Sequence, residues 1–322
     1  MTSDLSRRAF LAAIGATGSA SLLGCSANEP APGPIVTAPE QAIPEVRPAR
    51  TVVAPRASKD GAGVRLAKTL GGPTLAALDP FLMLDEIRSE HAEDYVRGFP
   101  SHPHRGFETV TIVLSGSVEH KDSVGNAGVL GGGSVQWMTA GHGIIHSEMP
   151  LRTEGLLWAL QLWVNLPRAL KMTAPKYQDV ARDRIADIGV AGGHGRVLAG
   201  RHDGTSGPVE GIAVAPTMLD VTIEPGSAFQ RELPPTNAVF AFVLEGDVHL
   251  GGGGAPTPRG HLVALGEGRS LRAESARGGR ILVVAAEPIG EPIARRGPFV
   301  MNTQEELDRA FDDYRAGRPT QI

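Results

Sequence analysis

The chain has 322 residues, long enough for two packed domains, and 41% hydrophobic content supplies a core, while 41 glycines and 25 prolines favour short strands and turns over a helical bundle. The formal charge is −4, and the 31 lysines and arginines form no basic block, so nucleic acid is not an expected partner. The one cysteine excludes an internal disulfide framework and any cysteine-rich zinc or iron–sulfur site, which leaves histidine and carboxylate for metal binding.

At the start of the chain, Ser6-Arg7-Arg8-Ala9-Phe10-Leu11 has the form of a twin-arginine export signal. The weakly apolar run 9–23 that follows has the length of a signal core and is too short to span a bilayer comfortably. It ends in Leu22-Leu23-Gly24-Cys25, which resembles the lipobox of bacterial lipoproteins. Residues 1–24 are therefore expected to be a removed signal and Cys25 a lipidated anchor, with the protein exported to a periplasmic or outer-surface, membrane-anchored location. Residues 25–50 carry Pro30, Pro32, Pro34, Pro39, Pro44 and Pro48 with few large apolar side chains, the composition of an extended tether.

From residue 51 onward, β-branched and aromatic runs alternate with glycine-bearing turns, at 107–114, 133–138, 156–165, 218–223, 239–244 and 280–285. Val113-Leu114-Ser115-Gly116-Ser117-Val118 is echoed 130 residues later by Val243-Leu244-Glu245-Gly246-Asp247-Val248, which implies two related β domains, expected at 51–185 and 186–300. The C-terminal stretch 301–322 differs. Thr303 with Glu306 forms a capping pattern, Leu307, Phe311 and Tyr314 share one helical face, and Gly317 and Pro319 end it, so a short structural helix is expected there.

The chemistry concentrates in residues 99–150. His102-Pro103-His104 places two imidazoles on the same side of an extended segment. If strand 107–114 continues that segment, Glu108 shares their parity. Some forty residues on, His142, His146 and Glu148 share one parity too. Two strands that each offer same-face ligands can converge on one ion. Neutral imidazole with carboxylate suits Fe(II), Mn(II), Ni(II), Cu(II) or Zn(II). Parity alone does not choose between Glu108 and Glu148.

His-x-His with Glu four residues later and a single His after a glycine-rich turn resembles the two motifs of the cupin superfamily. Longer stretches are similar to the pirin family: Leu78-Asp79-Pro80-Phe81-Leu82-Met83-Leu84-Asp85, Gly98-Phe99-Pro100-Ser101-His102-Pro103-His104-Arg105-Gly106-Phe107-Glu108, Val135-Gln136-Trp137-Met138-Thr139-Ala140-Gly141, Leu160-Gln161-Leu162-Trp163-Val164-Asn165 and Gly297-Pro298-Phe299-Val300-Met301-Asn302-Thr303. The resemblance implies an all-β bicupin, two jelly-roll β-barrels face to face with a short C-terminal helix. It implies one divalent metal, most often iron, in the N-terminal barrel, held by His102, His104, His146 and Glu148. Glu108 is then expected to support a histidine from behind, and His142 to be a solvated loop residue or to line the pocket mouth. Opposite His-x-His the second half has Leu233-Pro234-Pro235-Thr236-Asn237, with His249 and His261 at unrelated positions, so no second ion is expected.

For function, the resemblance implies a quercetin 2,3-dioxygenase type of reaction on a flavonol or related enol or phenol with O₂. Glu148 would be the general base and Phe81, Met83 and Trp137 an apolar wall. The rival from a different class is a non-catalytic, iron-dependent redox sensor or protein-binding module, which an exported location disfavours. A small phenolic substrate, O₂ and a membrane contacted through Cys25 are the expected partners of a monomer.

Overall fold

Residues 45–152 and 154–318 are described in the computed structural model; the expected signal, Cys25 and most of the tether lie outside them. The β-rich runs form strands close to the expected segments, among them Phe107–Ser115, Leu157–Asn165, Ala238–Leu250 and Gly279–Ala286. Among the described residues only Gln304–Arg315 forms an α-helix. Its first turn carries the expected box: Thr303 Oγ1 accepts from the Glu306 amide at 3.2 Å, and the Glu306 carboxylate accepts from the Thr303 amide at 3.0 Å.

The first barrel sets a seven-stranded sheet against a four-stranded one. In the larger sheet Phe107–Ser115 is an interior strand, flanked by Val135–Thr139 and the central Leu157–Asn165, which pairs onward with Phe81–Ser89. The smaller runs in the order Phe99–His104, Ile144–Pro150, Ser117–Asp122, Ala127–Gly131. In the second barrel Ala238–Leu250 takes the central place, between Gly279–Ala286 and Leu262–Leu265. The sequence echo falls on equivalent turns. Gly116 has φ +79 and Gly246 φ +72, conformations that L side chains rarely adopt.

Strand alternation then divides each large sheet into two functional faces. Val110, Ile112, Leu160 and Leu162 of the first barrel pack against Phe240, Phe242, Leu282 and Val284 of the second, in a core that lies between the barrels. Phe81 meets Phe240 edge to face at 5.3 Å. The alternate residues Thr111, Gln161 and Trp163 point the other way, into the first barrel.

The two chain ends are exchanged between the barrels. Residues 45–53, part of them expected in the tether, belong to the second barrel: Ala49–Val53 pairs with Leu262–Leu265, and buried Arg47 donates to the carbonyls of Gly266 and Asn237 at 2.9 and 3.1 Å. The C-terminal segment returns to the first barrel. The Val300 amide donates to the Arg105 carbonyl at 3.0 Å, and a Cβ on Gly106 (φ +85) would lie 2.0 Å from the Val300 carbonyl oxygen, so only glycine admits the strand. Arg105, 3% exposed, pairs with Asp313 of the helix at 2.8 Å.

Removing Asp313 strands a buried guanidinium. We expect Asp313→Asn to lower unfolding free energy by about 1–3 kcal/mol in urea titration, the cost of a buried group left without its partner. Asp308→Asn, which breaks an exposed pair with Arg296, should leave the midpoint unchanged.

Candidate metal centre

Three imidazoles converge because two antiparallel strands are in register. His146 lies directly across from His102, and Ile144 across from His104, so His102, His104 and His146 project from one sheet face. One ring nitrogen from each falls within 4.8 Å of the others. His102 Nδ1 donates to the Pro100 carbonyl at 2.8 Å, and His104 Nδ1 approaches the Pro298 carbonyl at 3.4 Å. A carbonyl only accepts, which fixes the N–H on Nδ1 and leaves both Nε2 lone pairs free. Those two lone pairs face each other at 3.1 Å. His146 has neither ring nitrogen hydrogen-bonded, although it is 2% exposed. Burial holds His104 and His146 well below the usual histidine range, and the neighbouring imidazoles add to it, so both are neutral near pH 7. Facing Nε2 lone pairs repel unless a cation sits between them, so this donor set fits a divalent metal.

Glu148 stands beside the triad. A register shift separates it from His146, and it lies outside the group of mutually close ligand atoms. Its Oε1 accepts from Thr111 Oγ1 at 2.8 Å, and Oε2 accepts from Gln161 Nε2 at 3.1 Å. Thr111 Oγ1 also contacts Gln161 Oε1 at 2.6 Å. Burial pushes the Glu148 carboxyl up, while nearby His102 and the Thr111 hydrogen bond pull it back. Behind it, His120 pairs in register with Glu148 and is gripped by Tyr177 Oη on Nδ1 at 2.7 Å and by Asp179 on Nε2 at 2.9 Å. Lys171, fully buried and pushed down to about 8 by desolvation, donates to Gly106 O, Asn165 Oδ1 and Val300 O, which ties the ligand loop to the C-terminal strand.

Three expectations change. Glu108 does not support a histidine: the strand breaks at Arg105-Gly106, parity is lost, and Glu108 turns towards Thr139, whose hydroxyl donates to it at 2.6 Å. His142 is no solvated loop residue. It is 6% exposed in the turn before Ile144–Pro150, its Nδ1 has no partner, and it is not one of the converging imidazoles. Of the proposed apolar wall only Met83 lines the cavity, because a shift in pairing between Phe81 and Met83 turns Phe81 into the core between the barrels, where Trp137 also lies. Thr111, Gln161 and His120 were not anticipated. A single glutamine inside the apolar run Trp158-Ala159-Leu160-Gln161-Leu162-Trp163 is the signal that could have found Gln161.

The site opens into a cavity of about 600 Å³, lined by His102, His104, Glu148, Thr111 and Gln161 with Met83, Trp163 and Phe99. Residues 63–164 match the family model for pirin and residues 218–320 that for the pirin C-terminal cupin domain. The chain belongs to the pirin family. This pirin is 45% identical over 275 residues to a pirin-like protein of Caulobacter vibrioides (85% of this chain, 99% of the relative). It is 39% identical to human pirin, covering 81% and 89% of the two chains. The crystal structure of a quercetin 2,3-dioxygenase from Acinetobacter baumannii superposes with a TM-score of 0.78 at 33% identity, over 85% of this chain and 98% of that one. The second pirin barrel offers no comparable site among its described residues: His249 and His261 bond the Gly254 and Arg259 carbonyls.

An ion that binds only the folded state raises its stability by mass action. Adding Ni(II) or Zn(II) to metal-stripped protein is expected to raise Tm by several degrees, and His146→Ala should abolish that shift in differential scanning fluorimetry.

Proposed function

We propose that this pirin is a metal-dependent dioxygenase of the quercetin 2,3-dioxygenase type, cleaving a flavonol or related enol or phenol with O₂ and using Fe(II), with His102, His104, His146 and Glu148 as ligands. The observation that carries the proposal is a histidine triad, with His104 and His146 buried, and an adjacent carboxylate beside a largely apolar cavity that His102, His104 and Glu148 line and that is large enough for an aromatic substrate. The similarity to a solved quercetin 2,3-dioxygenase supports it. A divalent ion in the triad would supply a Lewis acid for a substrate hydroxyl and the redox chemistry that O₂ requires.

The side chains supply proton handling. Glu148 takes the substrate hydroxyl proton as general base. Ionised, its Oε1 accepts from Thr111; once protonated there, it donates to Thr111, whose own hydrogen turns to Gln161 Oε1 at 2.6 Å. Gln161 Nε2 keeps Oε2 in place in both states. The three groups thus accept a proton without leaving a buried donor or acceptor stranded. Met83, Trp163 and Phe99 exclude water from the reacting oxygen.

Glu148→Gln is expected to keep most of the metal yet lose oxygen uptake on a flavonol by at least about a hundredfold. Thr111→Val should cost about ten- to a hundredfold, since it removes the donor that orients the base. Iron-loaded wild type, handled anaerobically, that consumes no O₂ with quercetin or any related enol would contradict the proposal and favour the metal-dependent binding role.

We further propose export, with residues 1–24 removed and Cys25 lipidated, on the strength of Arg7-Arg8 and the Leu22-Leu23-Gly24-Cys25 motif. Mass spectrometry of the native N-terminus should find diacylglycerol on Cys25. A free thiol there would contradict it.

A further inference from the structure

The cavity has two chemically different ends. At one are the imidazoles. At the other, Asp60, Lys68, Asp85 and Arg295 line the same space. Lys68 is occupied by carboxylates: its Nζ lies 2.6 Å from Asp85 and 3.5 Å from Asp60. Arg295 is not. Its Nη1 donates to the Leu82 carbonyl at 3.0 Å and its Nη2 meets Met83 Sδ at 3.7 Å, a weak acceptor, and no carboxylate is within ion-pair distance of it among the described residues. The arginines of a second cleft differ, since Arg196 and Arg280 both pair with Asp220 and Arg182 pairs with Asp187. A guanidinium has five N–H donors in a planar fork, so Arg295 has donors to spare at the mouth of the cavity.

Its position is fixed by stacking. The guanidinium carbon lies 4.5 Å from the Trp163 ring centroid, and Trp163 lies 5.2 Å from the His104 ring. Arg295 and His104 thus contact the same indole, which keeps the cation within one aromatic side chain of the triad. A substrate ring of similar length that presents a hydroxyl oxygen to the imidazole end brings its opposite substituent to Arg295. The two acids and two bases at this end balance in charge, so selection there comes from directed hydrogen bonds and not from bulk attraction. A carboxylate meets a guanidinium fork with two parallel bonds, which an ester or a neutral hydroxyl cannot match.

We propose that Arg295 is a specificity-determining residue and that the preferred substrate is an aromatic ring carrying hydroxyl at one end and carboxylate at the other, a hydroxylated aromatic acid. The placement of the hydroxyl end rests on the dioxygenase reading above; the Arg295 contact is tested separately, by binding.

The test is isothermal titration of the full chain, loaded with Ni(II) and kept under argon, with 3,4-dihydroxybenzoate and with its methyl ester. Wild type is expected to bind the acid at least about tenfold more tightly than the ester, the scale of one charge-assisted contact at a partly exposed site. Arg295→Gln should bring the two within about twofold, chiefly by weakening binding of the acid, and Arg295→Lys should fall between. If Arg295→Gln loses its circular dichroism or nickel content, the wild-type preference is followed in rising NaCl, where it should shrink. Equal affinity for acid and ester, binding of neither, a preference that survives in folded Arg295→Gln, or a salt-independent preference would each overturn the proposal. Oxygen uptake by iron-loaded protein separates the two claims. Uptake on a flavonol without any acid preference removes the role of Arg295 and keeps the dioxygenase; an Arg295-dependent preference without uptake on any phenol or enol does the reverse.

Discussion

Two imidazole lone pairs held 3.1 Å apart inside a protein are the constraint around which the first barrel is organised. The two nitrogens cannot satisfy each other by a hydrogen bond, because both rings already commit their N–H groups to carbonyls. The arrangement costs free energy in the absence of a cation and becomes favourable with one, so the surrounding structure must over-determine it. That over-determination is visible. Strand register fixes His146 against His102, Lys171 ties the Gly106 and Val300 carbonyls together, and the Arg105–Asp313 pair anchors the loop to the terminal helix.

The second barrel takes part through packing. Large sheets from the two halves share one apolar core, which leaves the opposite face of the first sheet free to carry Thr111, Gln161 and Trp163 into the cavity. The exchanged chain ends add to this. The chain's C-terminal segment closes over the metal end of the first barrel, with Pro298 meeting His104, while residues 45–53 complete the second. A lesion in the last thirty residues is thereby coupled to a site nearly two hundred residues away in sequence.

Much of this was legible in the sequence. The strand runs, the two-domain echo through Gly116 and Gly246 and the helix cap at Thr303 follow from local periodicity or spacing, and the convergence of His102, His104 and His146 from the pirin resemblance, since parity alone also admits His142. What failed was parity carried across breaks. Nothing local shows that Gly106 ends one strand and resets the next, which takes Glu108 off the side of the histidines, and the shift in pairing that separates Phe81 from Met83 is a property of two strands. Thr111 and Gln161 were missed because their partnership is cross-strand, fifty residues apart, and the exchange of chain ends leaves no signal that a window can detect.

The central claim is that this chain holds a single metal, in the first barrel, on the three converging histidines. Elemental analysis of the purified full chain, with nitrogen and oxygen scattering from X-ray absorption at the metal edge, tests it most directly. The account predicts about one first-row metal per chain, three imidazole ligands in the scattering, and loss of the ion in His102→Ala/His146→Ala. Two ions per chain, or one ion retained in that double variant, would contradict it.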